Sequence, residues 1–135
     1  MKKWIALLVV VMTVFTLCGC TGNRLPEGME AEYVEKHAKA VIALVNEKDY
    51  QTIWDEAGAD FQAAVSAKEL EEAVEGQIGD LGAFVEYSQQ AIGGSHGKNG
   101  SGYGVAVITA KYENGKAVYT LSFDPEYKLA GFYVK

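Results

Sequence analysis

Gly93-Gly94-Ser95-His96-Gly97 has the G-x-S-x-G spacing that can set a serine nucleophile on a tight turn. The chemistry would be acyl transfer. It needs a strand entering the turn, a helix leaving it, and a later acid and histidine to complete a triad. The chain has two histidines, His37 and His96, and none follows the motif. More glycines and then a strand-like run come next, so the serine has neither its helix nor its triad. The same segment does not make a phosphate cradle. Gly97-Lys98 is followed by Asn99, and Ile92 stands where the first glycine of that loop belongs. Asn99-Gly100-Ser101 is a glycosylation acceptor by letter alone. His37 and His96 lie in separate elements, whereas a zinc site gathers three or four ligands. No metal and no cofactor are expected.

Cys20 is the other reactive group. It closes Leu17-Cys18-Gly19-Cys20, which follows Met1-Lys2-Lys3 and a run of apolar or small residues from Trp4 to Leu17. A basic start, a short apolar stretch and a small-residue cut site describe a secretory signal peptide over residues 1–19. The stretch falls short of the roughly 20 apolar residues that span a bilayer. The last four residues resemble the lipobox of bacterial lipoproteins. That resemblance implies cleavage after Gly19 and a diacylglyceryl group on the Cys20 sulfur. The expected location is the extracytoplasmic side of the cell membrane, held there by the lipid. Residues 20–28 would be the lipidated cysteine and a short tether, and residues 29–135 a single domain.

Removing 19 of the 135 residues would leave 116, one domain's length. Trp4, Cys18, Lys2 and Lys3 would go, leaving 10 basic residues against 18 acidic ones. Such a chain is repelled by nucleic acid and by anionic headgroups, so no nucleic-acid partner is expected and the lipid must supply the membrane attachment. With Cys20 the remaining cysteine, no disulfide can form within the chain, and stability must come from packing.

The pattern places helices first. Val34, Ala38, Val41 and Val45 recur at helical spacing within Met29 to Glu47. Asp49 reads as the N-cap of a short helix from Tyr50 to Ala57, and a further turn covers Asp60 to Val65. Ser66-Ala67-Lys68-Glu69 is a capping box, opening a helix that Gly76, Gly79 and Gly82 should end. From Ala83 the period changes to two. Phe84 to Ile92 reads as a strand, with Glu86 sharing the inward parity of Phe84. Gly93 to Gly104 reads as a flexible connection. Val105 to Glu113 and Lys116 to Phe123 flank Asn114-Gly115, a strong two-residue hairpin signal. That turn pairs Glu113 with Lys116. It puts Ala106, Ile108, Ala110 and Tyr112 on one face with Ala117, Tyr119, Leu121 and Phe123. Leu129 to Val134 is the last strand. The expected class is α+β, with N-terminal helices packed on a curved antiparallel sheet.

The layout resembles the nuclear-transport-factor-2-like superfamily, the cone-shaped fold of ketosteroid isomerase and the SnoaL-like proteins. More closely, it is similar to small bacterial lipoproteins of unknown function. The stretches that carry this are Ala40 to Trp54, Leu81 to Phe84, and Tyr103 to Val134. The last contains Lys111-Tyr112, the Ser122-Phe123-Asp124 exit and the strand Leu129 to Tyr133. Pro125-Glu126-Tyr127 departs from the tighter turn usual there.

The resemblance implies a pocket between the first helix, the following helical turns and the concave sheet face. Tyr33, His37, Trp54, Phe84, Ile108, Tyr119 and Phe132 are the candidates to line it. The central hairpin offers tyrosines there and no carboxylate, so the polar inventory should be tyrosine and histidine. The expected function is a non-catalytic module that binds a small ligand, a peptide or a partner protein, as monomer or homodimer. Two alternatives stand beside it. One is an isomerase- or hydratase-like enzyme using Tyr33 or His37 with Glu86. The other is a structural lipoprotein whose core is simply filled.

Overall fold

A computed structural model describes residues 24–96 and 102–135; the signal segment, Cys20 and the Lys98–Ser101 motifs lie outside these. The described chain is α+β. Helices α1 (Ala31–Asn46), α2 (Tyr50–Glu56), α3 (Ala59–Ala64) and α4 (Ala67–Ile78) precede strands β1 (Phe84–His96), β2 (Gly102–Tyr112), β3 (Gly115–Phe123) and β4 (Leu129–Val134). The strands form an antiparallel meander in the order β1-β2-β3-β4. No described helix is long and apolar enough to cross a membrane.

Local chemistry sets the helix ends. The Ser66 hydroxyl accepts from the Glu69 amide at 3.1 Å, and the Glu69 carboxylate accepts from the Ser66 amide at 3.1 Å, completing the capping box. Asp49 accepts from the Thr52 amide and starts α2. On α1 the buried stripe is Val34, Ala38, Ile42 and Val45. Ile42, rather than Val41, is the third residue because the face advances by four, four and three positions. Helix α4 runs through Gly76 and ends at Ile78.

Facing that stripe are Ala106, Ile108 and Ala110 of β2 and Ala117, Tyr119 and Leu121 of β3, all at 0 % exposure. The small residues matter as much as the large ones. Three alanines let α1 settle close against the sheet while Tyr119 and Ile108 fill the space between.

The hairpin register differs from the expected one by two residues. Tyr112 pairs with Gly115 and Lys111 with Lys116, so Glu113 and Asn114 are the turn residues. Neither takes a positive φ. The cause is tertiary. Residues 81–83 lie against the turn: the Glu113 amide donates to the Ala83 carbonyl, and the Asn114 amide to the Leu81 carbonyl. The Glu113 carboxylate in return accepts from the Ala83 amide at 2.9 Å, so no Glu113–Lys116 pair forms. An even shift keeps every side chain on its face. Ala110 and Tyr119 therefore share the inner face as expected.

Strand β1 departs further. Its register shifts between Phe84 and Glu86 and again between Tyr87 and Gln89. Each shift inserts a residue and reverses the parity. Phe84, Tyr87, Gln90 and Ile92 pair with the inward residues of β2, whereas Glu86 pairs with Lys111. Glu86 thus points to the outer face, where its carboxylate lies 3.9 Å from the Lys111 ammonium.

Gly93 to Gly104 is not simply a connection. Gly93–His96 pair with Gly102–Val105, extending both strands. The glycines are there for close approach. A Cβ on Gly94 would lie 2.0 Å from the Arg24 carbonyl oxygen, and one on Gly102 would lie 2.6 Å from the Pro26 ring. On Gly104 it would meet Val34 at 2.8 Å and Met29 at 2.9 Å. Residues 24–29 therefore lie across a glycine-surfaced end of the sheet, and Met29 is part of the core. Gly94→Ala should push this backbone away and cost about 1–3 kcal/mol, the usual range for overpacking. Urea unfolding measures the loss, and amide exchange should show protection falling first at residues 24–29. An unchanged unfolding midpoint would contradict this packing.

Candidate functional site

A cavity of about 240 Å³ opens where the C-terminal ends of α1 and α4 meet the start of β1 and the end of β2. Val45, Ile78 and Phe84 give it apolar walls, and Asn46, Lys48, Tyr50, Glu75 and Tyr112 supply its polar groups.

Two hydrogen-bonded sets converge there. The first begins in the core. The Tyr119 and Tyr112 hydroxyls lie 2.6 Å apart, and the Tyr112 hydroxyl donates to Asn46 Oδ1 at 2.8 Å. Burial fixes the sense of this chain. Tyr119 is 0 % exposed, and among the described residues its hydroxyl proton has one acceptor within reach, the Tyr112 oxygen. Tyr112 must then donate onward, and Asn46 must receive with its carbonyl oxygen. The Asn46 amide NH₂ is left as a donor on the cavity wall.

In the second set, the Tyr50 hydroxyl donates to Glu75 Oε1 at 3.0 Å, and the Lys48 ammonium lies 3.4 Å from the same oxygen. Burial, together with the Glu75 carboxylate, pushes the Tyr50 phenol well above its ordinary value. Burial, then the hydrogen bond that its hydroxyl donates to Tyr112, does the same to Tyr119 more strongly. Tyr112 is raised as well, again by burial first. All three phenols stay neutral at physiological pH, so they serve as hydrogen-bond donors and not as bases.

Lys48 holds an unusual backbone. The Lys48 amide donates to the Val45 carbonyl and the Asp49 amide to the Leu44 carbonyl, closing α1 with a Schellman motif. That motif usually gives its left-handed position to glycine, and Lys48 occupies it at φ 60°.

The structure distributes the sequence candidates over several places. Phe84 alone of them lines this cavity, with its ring 5.9 Å from that of Tyr112. Tyr119 reaches it indirectly through Tyr112, and packs edge-on to Phe132 at 6.1 Å. Ile108 is core. Trp54 fastens α2 to the α3–α4 junction by donating its indole N–H to the Val65 carbonyl at 2.7 Å. Tyr33 and His37 lie against Tyr127: the His37 ring stacks on Tyr127 at 5.2 Å, and Tyr33 meets it edge-on at 5.8 Å. The Tyr127 hydroxyl in turn accepts from the Glu30 amide at the start of α1. Neither Tyr33 nor His37 is brought to Glu86.

The polar inventory also differs from the expected tyrosine and histidine, because the cavity holds a carboxylate, Glu75, and no histidine. Asn46, Lys48, Tyr50, Glu75 and Tyr112 were not legible as a group. Tyr50 and Glu75 are 25 positions apart and Tyr112 and Asn46 are 66 apart. Only packing brings them together. Ser95 sits within β1 opposite Tyr103, so Gly93–His96 of the G-x-S-x-G motif lie on a strand and not on a nucleophile turn. Among the described residues no cluster of three or more His, Cys, Asp or Glu could hold a metal.

The comparisons agree with the α+β architecture. Residues 38–132 match a sequence family described as "Protein of unknown function (DUF3887)". The chain belongs to that family, whose matched span includes every polar residue of the cavity. Among solved structures, an NMR structure of a protein from Ruminococcus gnavus ATCC 29149 is similar at 29% identity and a TM-score of 0.71. The match covers 82% of this chain and 96% of that one. No curated protein matches significantly.

The sense of the hydroxyl chain makes an asymmetric prediction. Tyr112→Phe leaves the Tyr119 hydroxyl buried without an acceptor, which should cost about 2–3 kcal/mol. Tyr119→Phe removes a donor and strands nothing, at about 1 kcal/mol. The double variant should cost no more than Tyr112→Phe alone, because no orphan hydroxyl remains. Denaturant unfolding of the three variants checks this. Equal, additive losses would contradict it.

Proposed function

We propose that this chain is a lipid-anchored, extracytoplasmic domain that binds a small ligand in the cavity between α1, α4 and the sheet, without chemistry on it. The observation that carries the reading is the convergence of two polar sets on one apolar-walled cavity. Sites of this kind combine a mostly apolar lining with a few fixed polar groups that orient the ligand. A volume of about 240 Å³ suits a ligand of small size. The finer fold assignment, a cone of the nuclear-transport-factor-2-like type, is part of this reading. It is supported by helices laid over one face of a bulged antiparallel sheet.

The anchor rests on the sequence of residues 1–20. Docking of residues 24–29 on the glycine surface of β1 and β2 supports a short tether. Cys20→Ala should move the protein from the membrane fraction to the soluble one, as detergent partitioning reads out. Retention in the membrane would overturn the anchor.

For the cavity, nitrogen-15 NMR of the full-length protein in non-ionic micelles should be followed against small fragments of neutral, anionic and cationic type. Saturable shifts should cluster at the Asn46 side-chain amide and the backbones of Tyr50, Gly79 and Phe84. Saturable shifts confined to other surfaces, or none, would overturn the ligand-site reading.

A further inference from the structure

The charge around the cavity is one-sided. Helices α1 and α4, of 16 and 12 residues, both end on it, and neither carries a basic residue in its last turn. The negative end of each helix dipole therefore faces the cavity without a covalently fixed counter-charge in that turn. Glu75 adds a carboxylate, and the nearby Glu71 contributes to holding the Tyr50 phenol up. The whole chain is acidic, at a formal net charge of −6. Against this stands Lys48, the one cation among the lining residues.

Lys48 is a loosely held cation. Its side chain is 71% exposed, and its ammonium meets a single Glu75 oxygen at 3.4 Å. Exposed pairs of this kind contribute little. The other Glu75 oxygen accepts no hydrogen bond among the described residues and lies over Gly79. A side chain there would crowd it: a Cβ on Gly79 would stand 3.3 Å from that oxygen and 2.6 Å from the Glu75 carbonyl. Lys48 also occupies a left-handed backbone position that glycine would take with less strain. An ammonium thus sits at the Glu75 carboxylate at the expense of local backbone comfort, and little holds it there.

We infer that the cavity takes a small primary amine with a short apolar body. This rests on the reading of the cavity as a ligand site. The amine's ammonium replaces that of Lys48 at Glu75, and its remaining protons meet the open Glu75 oxygen. Lys48 swings into solvent. The apolar body lies along Phe84, Val45 and Ile78. An anionic ligand would face two helix C-termini and a carboxylate, with only an exposed lysine to offset them. A neutral ligand would leave the Lys48–Glu75 pair in place and gain nothing from the charge.

Three compounds with one apolar body separate these cases: phenethylamine, 2-phenylethanol and 3-phenylpropionate. Each is titrated into the full-length protein in non-ionic micelles and followed by nitrogen-15 NMR. Phenethylamine should bind saturably, about tenfold or more tighter than the other two. Glu75→Gln should remove that preference, and Lys48→Met should tighten amine binding several-fold by removing the internal competitor. If Glu75→Gln does not fold, the Lys48→Met comparison decides alone: unchanged or weaker amine binding overturns the inference. Equal or tighter binding of the alcohol or the carboxylate at the cavity overturns the amine assignment and leaves the ligand site standing. Silence from all three compounds at the cavity overturns both.

Discussion

A buried phenol cannot keep its proton idle, and that constraint organises the joint between helices and sheet. Tyr119 is shut away at the centre of the inner sheet face. Its hydroxyl must donate, and the Tyr112 oxygen is what β2 offers. Tyr112 passes the obligation to Asn46, the last residue of α1. One line of hydrogen bonds thus ties the third strand to the second and the second to the end of the first helix. An orphaned hydroxyl in that place costs about 1–3 kcal/mol, a large share of the 5–15 kcal/mol that holds a domain together. The position of the α1 C-terminus, and so of the cavity beside it, follows from satisfying that proton.

The same line orients the cavity chemically. Because Asn46 receives with its oxygen, it presents its NH₂ to the cavity. Because Tyr50 gives its proton to Glu75, the carboxylate keeps one oxygen open. The helix ends and the carboxylate favour positive charge, and the Asn46 NH₂ favours a hydrogen-bond acceptor beside it. Lys48 shows the first preference within the molecule itself.

Local rules carried much of the fold into the sequence. The Ser66–Glu69 box, the Asp49 cap and the alternation of β2 and β3 each depend on neighbours within a few residues, and each appears in the structure. What escaped depends on distant partners. The Glu113-Asn114 turn is set by residues 81–83, which intercept its amides from 30 positions away. The extra residues in β1 reverse its parity and carry Glu86 outward, which alternation alone does not reveal. Gly94, Gly102 and Gly104 read as flexibility, yet they receive the segment 24–29 that precedes the first helix. The cavity is the extreme case, since its polar residues come from α1, the α1–α2 junction, α2, α4 and β2. Phe84 was legible as a lining residue because it opens a strand on an inward position. Tyr33 and His37 have the same kind of pattern, but Tyr127 claims them instead.

The central claim is the direction of the hydroxyl chain, and neutron diffraction from the deuterated protein observes it directly. Deuterium should lie on the Tyr119 oxygen pointing at Tyr112, and on the Tyr112 oxygen pointing at Asn46, with the ND₂ group of Asn46 turned toward the cavity. A reversed chain, with the Asn46 nitrogen donating to Tyr112 and Tyr112 donating to Tyr119, would contradict the account.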